Sequence, residues 1–571
     1  MSIAKYFPFQ SMRPNQREVL DAIEQNWNSF NYFFLEAPTG FGKSAVVCAV
    51  ARWLFREHGL FTHFLVSDIY LQNQYLKDFK DMALIKGRSN YQCNVSKLTR
   101  GVTELYEQND LIPEYPTCAD APCMLDDNYG CLNKPTYPSE GESKRDKYGT
   151  VFLWNSSHTP YCPYWMAKDI AVHNPLTIHN YTYFLNEMAY SHAFNNRMLG
   201  VFDEAHTIEN TLMSFVEVNI NTWTLNRITR FFDIANVRIP FFDRIGEWYD
   251  WLEGLEETLS EGLKRFGTSE QVRREGVDAA GIRVRKQAEG LLEKISELIK
   301  NMSSSPDNWV WSIPEDKRGG NEAVIFKPVR VSQYGKELLF KHTDKHILIS
   351  ATILDSDKMK SYLGIDEEVR FLRVHQSNFP VQNRPFFVRS QGKSTSATKI
   401  EYLPKMLDYI DDVLLPKLMK DKGVIHSHTN DTARYILTNS KYKHIMMSNV
   451  DVKGKRNDVF ESFFDAPAPC VMVTPSMKLG VDLKDDLARW QIIAKVPYPY
   501  LGDPQVEKRT KLDSSWYEYQ TVTSLIQTYG RVCRSETDYG ETYILDGKFE
   551  DVFSRNMSYF PKWFREAVKR Y

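Results

Sequence analysis

The stretch Ala37-Pro-Thr-Gly-Phe-Gly-Lys-Ser44 decides the fold class of this chain of 571 residues. It follows the apolar run Tyr32–Leu35, which predicts a β-strand, and it leads into Ser44–Phe55, whose apolar residues recur with helical spacing. Thr62–Val66 then predicts a second strand. The order strand, glycine-rich turn, helix and strand is typical of a parallel α/β sheet.

The same turn has the residues that a bound nucleotide requires. Glycines allow the backbone to approach phosphate oxygens and to point its N–H groups at them. Lys43 is expected to neutralise the β- and γ-phosphates, and the hydroxyl of Ser44 is expected to bind Mg²⁺. The sequence therefore predicts a site for ATP and Mg²⁺. Its loop residues are Pro38, Thr39, Gly40, Gly42, Lys43 and Ser44.

A pair of acidic residues predicts the second part of this ATP site. Asp203 and Glu204 come at the end of the strand-like run Met198–Phe202. An Asp-Glu pair in this position is, by itself, usually only a solvated strand end. Because the phosphate-binding turn belongs to the same predicted sheet, we expect Asp203 to hold Mg²⁺ through water and Glu204 to polarise the attacking water.

Three polar residues in the C-terminal part of the chain predict the opposite wall of the site. Gln527, Arg531 and Arg534 fall about one turn apart, on one face of a predicted helix. In isolation they are typical of a solvated helix face, but arginine is well suited to recognise phosphate. Arginines that arrive from another domain would stabilise the transferred phosphoryl group and make hydrolysis depend on domain closure.

Composition and charge exclude several classes of protein. At roughly 150 residues per domain, the length predicts three or four domains. The 71 Lys and Arg residues against 73 Asp and Glu residues, a net charge of −2, exclude a globally basic coat protein but not a local basic groove. No apolar run approaches the roughly 20 residues of a membrane span. With no signal peptide and no basic localisation tract, we expect a cytoplasmic protein of prokaryotic, archaeal or viral source, without a membrane partner.

Five of the eight cysteines lie in one irregular stretch, between residues 90 and 165. Turns and prolines replace the α/β periodicity there, so something other than a large apolar core must hold this stretch. In a chain without an export signal, such a cluster predicts metal binding rather than disulfide bonds. The five are Cys93, Cys118, Cys123, Cys131 and Cys162.

Two further segments differ in their patterns. Thr211–Ser303 is amphipathic with helical spacing, which predicts a helical insertion. From about Leu354 a second α/β pattern begins, with strands predicted at Gly423–His426, Cys470–Thr474 and Trp490–Ala494. The chain therefore divides into two α/β units, the first of which carries two insertions.

Taken in order, these motifs resemble those of a superfamily 2 helicase of the XPD/DinG type, over nearly the whole chain. The matching segments are Arg13–Gln16 (the adenine-reading Q motif), Ala37–Ser44 (motif I), Leu71–Gln74 (motif Ia), Asp203–His206 (motif II, in its DEAH form), Ser350–Thr352 (motif III), Ser476–Leu483 (motif V) and Gln527–Arg534 (motif VI).

The resemblance implies roles for residues that the patterns alone do not explain. Arg13 and Gln16 would bind ATP. Ser350 and Thr352 would pass the nucleotide state to the DNA side. In motif V, Leu479 stands where the family often has an acidic residue, so that loop departs from the family pattern. Only two of its residues are carried over to the ATP site, Gly480 and Asp482.

The family also carries a cysteine-bound [4Fe–4S] cluster between motifs Ia and II and a helical arch between motifs II and III. This chain has its two insertions in those places. The residues that flank Cys93 and Cys162 are similar to those that open and close the family's cluster segment. The resemblance implies a [4Fe–4S] cluster on Cys93, Cys123, Cys131 and Cys162, with Cys118 as a substitute. The alternative is a zinc site with four cysteine ligands.

The implied fold is α/β, with two RecA-like parallel-sheet motor domains of which the first carries the iron–sulfur insert and the helical arch. ATP would bind in the cleft between the two. The first motor domain is expected in residues 1–89, 167–210 and 329–353, the iron–sulfur domain in 90–166, the arch in 211–328, and the second motor domain in 354–571.

The implied function is that of a monomeric, ATP-dependent DNA helicase that moves 5′→3′ on single-stranded DNA and unwinds forked duplex DNA. Tyr161, Tyr164 and Trp165 offer stacking surfaces for bases, although aromatic residues beside a cluster more often pack against it. The basic run Lys144–Lys147 offers contacts for phosphates, although such a run is usually a solvated loop. Two alternatives remain open: an RNA helicase of the DEAH type, and an ATP-regulated nucleic-acid clamp that does not separate strands.

Overall fold

The structure of the chain is a computed structural model, and it describes residues 2–94, 117–119, 121–125, 131–135, 145–157, 160–265, 279–314, 322–452, 456–475 and 483–570. The predicted motif V residues Gly480 and Asp482, and Lys144 of the basic run, lie outside the described residues. In the ranges that are described, no helix combines the length and the apolar character that a bilayer span requires.

Seven parallel strands form the first of two large sheets. They are β1 (Tyr32–Glu36), β2 (Thr62–Val66), β3 (Ala83–Leu84), β4 (Leu176–Asn180), β5 (Arg197–Asp203), β9 (Thr343–Ser350) and β10 (Val369–Arg373), in the order β10-β1-β9-β5-β2-β4-β3. Every residue of β1 and β2 is buried. Successive residues of β1 belong to two different apolar cores, because both faces of a parallel sheet are covered.

The register of three central strands brings the predicted catalytic segments together. Glu36, the last residue of β1, is level with Ser350, the last residue of β9. Asp203, the last residue of β5, is level with Ile349. Since parallel strands end on the same side, the turn after β1, the acidic pair after β5 and Ser350 all lie at one carboxyl edge of the sheet, where α/β proteins bind ligands.

The helices of this first domain alternate with its strands along the chain, beginning with one that precedes β1. They are α1 (Gln16–Asn26), α2 (Lys43–His58), α3 (Ile69–Asp78), α5 (Pro163–His173), α6 (Tyr181–Asn186) and α7 (Ile208–Val216), with α4 (Pro122–Leu125) in the cysteine-rich stretch, and α11 (Ser332–Leu338) and α12 (Ser356–Leu363) further along the chain. α2 lies between Gly42 and Gly59, which flank its two ends and are both in the left-handed region. Its Ala- and Val-rich middle is buried against the sheet.

The second insertion is helical, as predicted, and it also contains a small sheet. Its helices are α8 (Thr222–Phe232), α9 (Ile245–Arg265) and α10 (Ala279–Ser304). Leu252, Leu255 and Leu259 of α9 are buried, as are Ile295 and Leu298 of α10. An antiparallel sheet in the order β6-β8-β7 lies at the base of these helices, formed by β6 (Val218–Asn221), β7 (Trp309–Ser312) and β8 (Ala323–Pro328).

Seven parallel strands also form the second large sheet. They are β11 (Phe386–Val388), β12 (Gly423–His426), β13 (Met446–Ser448), β14 (Val471–Thr474), β15 (Trp490–Ile493), β16 (Glu541–Ile544) and β17 (Val568–Arg570), in the order β13-β14-β12-β15-β16-β11-β17. The helices of this second domain are α13 (Lys399–Tyr409), α14 (Leu415–Leu418), α15 (Asn430–Asn439), α16 (Arg456–Asp465), α17 (Pro504–Leu512), α18 (Ser514–Tyr529), α19 (Lys548–Arg555) and α20 (Lys562–Arg565). The predicted fold class, two RecA-like parallel-sheet domains, is confirmed.

The first domain extends beyond the predicted boundary at residue 353. β10 pairs with β1 along its whole length, so the chain returns to the first sheet before it enters the second. Glu36, buried at the end of β1, fixes this return, because its carboxylate pairs with Arg373 across 2.7 Å and accepts the backbone N–H of Leu354. We therefore place the end of the first domain after β10.

Candidate active site

The turn between β1 and α2 has the backbone shape of a phosphate-binding loop. Gly40 and Gly42 have φ angles of 81° and 84°, in the region that glycine tolerates best. The buried Gln16 donates from Nε2 to the carbonyl of Phe41 across 2.6 Å and accepts the backbone N–H of Arg13 across 2.7 Å. Arg13 in turn donates to the carbonyl of Gly40. The two predicted Q-motif residues therefore hold the shape of this loop.

Lys43, the first residue of α2, lies beside the two predicted acidic residues. Its Nζ donates to the carbonyl of Ala37 across 3.1 Å. Burial lowers the pKa of Lys43, whereas the carboxylates of Glu204 and Asp203 raise it. The ammonium group thus lies within electrostatic reach of both carboxylates, where it can neutralise a bound phosphate.

The two acidic residues have different surroundings. Asp203 is buried and accepts hydrogen bonds from the Tyr75 hydroxyl across 2.8 Å and from the backbone N–H of Glu204 across 2.7 Å. Burial and the carboxylate of Glu204 raise the pKa of Asp203. Burial acts in the same direction on Glu204, but His206, at 3.2 Å, and Lys43 bring its pKa below the usual carboxyl range. Glu204 is therefore the more readily ionised carboxylate, as a group that polarises water must be.

His206 connects this acidic pair to the second domain. Its Nδ1 lies 3.0 Å from Ser350 Oγ and 3.4 Å from Nε2 of Gln527, a residue of α18. The same Gln527 amide donates to Thr352 Oγ1 across 2.8 Å. The segments predicted as motifs II, III and VI thus meet in one hydrogen-bonded group that spans the two domains.

The prediction that Gln527, Arg531 and Arg534 share one helical face is wrong. α18 ends at Tyr529 and is closed by Gly530, so Gln527 lies on the helix and both arginines lie in the loop that follows. Glycine is a poor helix former, so the helix ends before Gly530, although the spacing of the three polar residues is compatible with a longer helix.

A buried carboxylate, Asp538, shapes the loop that holds the two arginines. It accepts the backbone N–H of Arg534 across 2.7 Å and that of Asp485 across 3.3 Å. Its other oxygen pairs with Arg489 across 2.6 Å. The main chain at Arg534 is therefore fixed by contacts within the second domain, and not by a helix.

Residues of both domains line one cleft of about 1640 Å³. A Cβ atom on Gly530 would lie 3.3 Å from Thr39 Oγ1, so the end of α18 lies directly against the phosphate-binding loop. Of the described residues that were predicted for the ATP site and for its coupling to DNA, Pro38, Ser350 and Thr352 do not line the cleft. Those that do are Arg13, Gln16, Thr39, Gly40, Gly42, Lys43, Ser44, Asp203, Glu204, Gln527, Arg531 and Arg534.

Two residues that shape this site were not predicted. Tyr75, which donates to Asp203, comes directly after the predicted motif Ia, where it is one more buried aromatic residue of α3. Phe379 lies in the segment that joins the two domains, and its ring lies against Gly40, where a Cβ atom would come within 1.9 Å of it. The sequence gives no signal for Phe379, because the segment around it has no periodicity.

The five clustered cysteines line one small cavity of the first insertion. Backbone hydrogen bonds bring their segments together, from Cys118 N–H to the carbonyl of Tyr91 and from Cys162 N–H to that of Asn133. The sulfur atoms of Cys118 and Cys162 lie 4.0 Å apart. Within the described ranges, no three His, Cys, Asp or Glu side chains are grouped around a common point that would hold one metal ion. The structure thus brings five thiols to one cavity without arranging them around a single ion.

The aromatic residues next to Cys162 are part of the core. Tyr164 and Trp165 are buried, and the guanidinium of Arg88 lies 4.1 Å and 5.1 Å from the centres of their rings. Of the two interpretations given for these side chains, packing in the core is the one that the structure shows for Tyr164 and Trp165. Arg145 and Lys147 of the predicted basic run are exposed.

Family models match three parts of the chain. A model described as a helicase C-terminal domain matches residues 425–567, which include Gln527, Arg531 and Arg534. The DEAD_2 model matches residues 152–225, which include Asp203 and Glu204. A model described as the res subunit of type III restriction enzymes matches residues 9–114, which include the phosphate-binding loop.

Curated relatives match over very different lengths. A probable ATP-dependent helicase of Methanocaldococcus jannaschii is 23% identical over 97% of this chain and 94% of its own length. The Fanconi anemia group J protein homolog of Gallus gallus is 30% identical, but over 16% of this chain and 8% of its own length. A regulator of telomere elongation helicase 1 homolog of Drosophila ananassae is 29% identical over 19% of this chain and 12% of its own length.

Solved structures share the fold over the whole chain. A structure titled as an XPD helicase superposes with a TM-score of 0.60, at 14% identity, over 99% of this chain and 100% of its own. The structure of S. tokodaii Xpd4 gives a TM-score of 0.56, also at 14% identity, over 98% of this chain and 100% of its own.

Proposed function

The chain has the motifs, the domain matches and the fold of an XPD/DinG-type superfamily 2 helicase, and from that premise we propose that it is an ATP-dependent DNA helicase. The enzyme moves 5′→3′ along single-stranded DNA, unwinds forked duplex DNA and acts as a cytoplasmic monomer. The observation that carries the proposal is the single cleft, lined by the phosphate-binding loop and Glu204 from the first domain and by Gln527 and the two arginines from the second.

Hydrolysis follows from the placement of the side chains in this cleft. The loop N–H groups and Lys43 bind the phosphates, and Glu204 orients and polarises the attacking water. Ser44 and Asp203 would hold Mg²⁺, which supplies positive charge at the β- and γ-phosphates. Arg531 and Arg534 stabilise the charge of the transferred phosphoryl group from the second domain.

The link between hydrolysis and movement lies at the contact of Gln527 with His206 and Thr352. His206 lies within ion-pair distance of Glu204 and also contacts Gln527 of α18. A change in the charge or the hydrogen bonds of the water-polarising carboxylate therefore alters the position of a side chain that contacts the second domain. Opening and closing of the cleft then moves one domain relative to the other along the strand.

The cavity in the first insertion suits a [4Fe–4S] cluster, because thiolates are the side chains that bind iron–sulfur clusters. We propose the cluster rather than a zinc ion because the resemblance to the XPD/DinG family implies a cluster in this insertion. Cys93, Cys123, Cys131 and Cys162 would hold it. Cys118, 4.0 Å from Cys162, is close enough to replace one of them. In this proposal the cluster is structural and fixes the insertion near the fork.

Iron and acid-labile sulfide, measured on the purified chain, test the cluster. We expect both to be present and to fall sharply in the double variant Cys118→Ser/Cys162→Ser, which also removes the possible substitute ligand. Cys470→Ser is the matched control, since Cys470 lies in the second domain, outside this cavity. One zinc per chain without sulfide would support the four-cysteine zinc site instead.

Strand displacement with matched substrates tests the helicase activity. The substrates are DNA forks, DNA duplexes with a single 5′ or 3′ tail, and an RNA duplex of the same sequence, with Lys43→Ala as the variant that cannot hydrolyse ATP. We expect ATP-dependent unwinding of the forked and 5′-tailed DNA alone. Unwinding of the 3′-tailed DNA in place of the 5′-tailed DNA would show that the enzyme moves 3′→5′. Unwinding of RNA alone would support the RNA helicase. ATP hydrolysis without unwinding would support the nucleic-acid clamp.

A further inference from the structure

A second buried contact joins the two domains, and one of its residues, Gln520, also lines the cleft. Glu209 lies in the first turn of α7, three residues after His206. Its buried carboxylate accepts hydrogen bonds from the indole N–H of Trp516, at 3.0 and 3.1 Å from its two oxygens, and from Nε2 of Gln520 at 3.0 Å. The guanidinium of Arg509 lies 3.6 Å from it. Burial raises the pKa of Glu209, whereas Arg509 and the two hydrogen bonds lower it.

Helix α18 therefore contacts the DEAH segment (Asp203–His206) at one point and α7, the helix that follows it, at another. Trp516 and Gln520 touch Glu209, and Gln527, two turns further along the helix, touches His206. Because the helix is continuous between these points, a displacement of His206 relative to Gln527 is transmitted to the contact at Glu209.

Arg509, the charged partner of Glu209, belongs to α17, and this helix also holds the base of the arch insertion. The guanidinium packs over the rings of Tyr362 and Trp516, at 5.0 and 5.6 Å from their centres. Three further polar contacts run from the α17 region to β7, to β8 and to the residue that follows β8. They are Lys327 Nζ to Asp503 Oδ2 (2.9 Å), Gln505 Nε2 to the carbonyl of Val329 (3.0 Å) and Lys508 Nζ to the carbonyl of Trp309 (3.3 Å).

We propose that Glu209 is a positioning residue that ties the state of the DEAH segment to the arch, acting through Arg509 and α17. A buried carboxylate with several donors is strongly disfavoured once one partner leaves, so these contacts are kept or lost together. Closure of the cleft moves α18 and α17 as one unit, and the small sheet of the arch moves with them. This inference rests on the proposed ATPase and helicase activity.

Four variants separate this role from a structural one. Glu209→Ala removes all the contacts, and Glu209→Gln removes the charge but keeps an acceptor for Trp516 and Gln520. Arg509→Ala removes the other half of the ion pair. Lys327→Ala removes one of the three polar links between the α17 region and the arch, and it leaves the contacts of Glu209 untouched. Glu401→Ala is the matched control, because Glu401 also lies in a first helical turn but is exposed.

The readouts are the affinity for ATP, kcat and KM of DNA-stimulated ATP hydrolysis, and the base pairs unwound per ATP. For Glu209→Ala we expect ATP affinity within about twofold of the wild type and a kcat reduced about tenfold, with fewer base pairs unwound per ATP. For Glu209→Gln, both kcat and the base pairs unwound per ATP should lie between those of the wild type and those of Glu209→Ala. Arg509→Ala should equal Glu209→Ala, and the double variant should lose no more than either, since the two act as one unit. Lys327→Ala should keep its kcat and unwind fewer base pairs per ATP.

Three results would overturn the inference: Glu209→Ala behaves like Glu401→Ala, its KM changes while its kcat does not, or the losses at Glu209 and Arg509 are additive. If Glu209→Ala does not fold, Glu209→Gln decides, and wild-type unwinding per ATP in that variant overturns the inference. A wild-type chain that unwinds no DNA contradicts the proposed function itself. An active wild type with unaffected Glu209 variants contradicts only the positioning role.

Discussion

Gln527 donates a hydrogen bond of 2.8 Å to Thr352 Oγ1, and this bond crosses from the second domain to the first. The same amide lies 3.4 Å from His206, which lies 3.2 Å from Glu204. A continuous series of polar contacts therefore runs from the proposed water-polarising carboxylate to α18. The geometry of hydrolysis depends on how the two domains are placed relative to each other.

Gln527→Ala tests this bridge. The substitution leaves the buried hydroxyl of Thr352 without this donor, a loss of about 1–3 kcal/mol, so we expect kcat for ATP hydrolysis to fall roughly 5- to 150-fold. Affinity for ATP should change little, because Lys43 and the loop are untouched. Gln391→Ala is the control, since that amide donates to Arg389 within the second domain. An unchanged kcat with a weaker ATP affinity would show that Gln527 binds the nucleotide and does not couple the domains.

Glu204→Gln separates ATP binding from turnover. An amide of the same size cannot polarise the attacking water, so we expect kcat to drop by about 10²-fold or more while the Kd for ATP stays within about threefold. Equilibrium binding and single-turnover hydrolysis measure the two effects on the same preparation. Hydrolysis at the wild-type rate would mean that another group activates the water.

Asp538→Asn tests the buried carboxylate that shapes the arginine loop. The change removes the buried charge partner of Arg489, which keeps its exposed pair with Asp486, so we expect a cost of about 1–3 kcal/mol of stability, and it loosens the main chain at Arg534. We expect a lower denaturation midpoint together with a reduced kcat for ATP hydrolysis.

The control for Asp538→Asn is provided by the same arginine. Asp486 also pairs with Arg489, at 2.8 Å, but its side chain is 95% exposed, so Asp486→Asn should cost less than about 1 kcal/mol. Equal effects of the two substitutions would show that burial of Asp538 is not what fixes the loop.

The sequence could predict those site residues whose role depends on their immediate neighbours in the chain. Lys43 follows a glycine-rich turn, and Asp203 and Ser350 end apolar strands, so their place at one sheet edge followed from the strand pattern. Glu209 and Asp538 owe their roles to partners on other elements. Glu209 meets a helix that begins about 300 residues later, and no local pattern encodes that meeting.

One wrong prediction and one alternative that the sequence left open have the same physical origin. The spacing of Gln527, Arg531 and Arg534 fits a helix, but Gly530 and the contacts of Asp538 turn the chain away. Trp165 has an aromatic ring of the kind that stacks on bases, but the core of the insertion covers it. Periodicity shows which residues share a face of an element, and only tertiary packing decides where that element ends and what covers it.

A buried pair of histidines predicts how stability depends on pH. His63 Nδ1 lies 3.0 Å from His179 Nε2, and both rings are fully buried beside Arg197. Burial, together with the guanidinium of Arg197, lowers the pKa of both rings well below 6.5. The rings are therefore neutral in the folded chain, and one ring N–H donates to the other ring.

The unfolded chain binds protons on these rings below about pH 6.5, whereas the folded chain does not. The unfolded state thus holds more protons in that window, so stability falls as pH decreases, by up to about 1.4 kcal/mol per pH unit for each ring. His63→Phe removes one of the two titrating groups and keeps a ring next to Phe184 and Phe194. In denaturation series from pH 8 to pH 5, we expect the variant to lose less stability than the wild type below pH 6.5, while the exposed His444→Gln follows the wild type. Parallel curves for His63→Phe and the wild type would mean that the pair takes up protons in the folded state as readily as in the unfolded one.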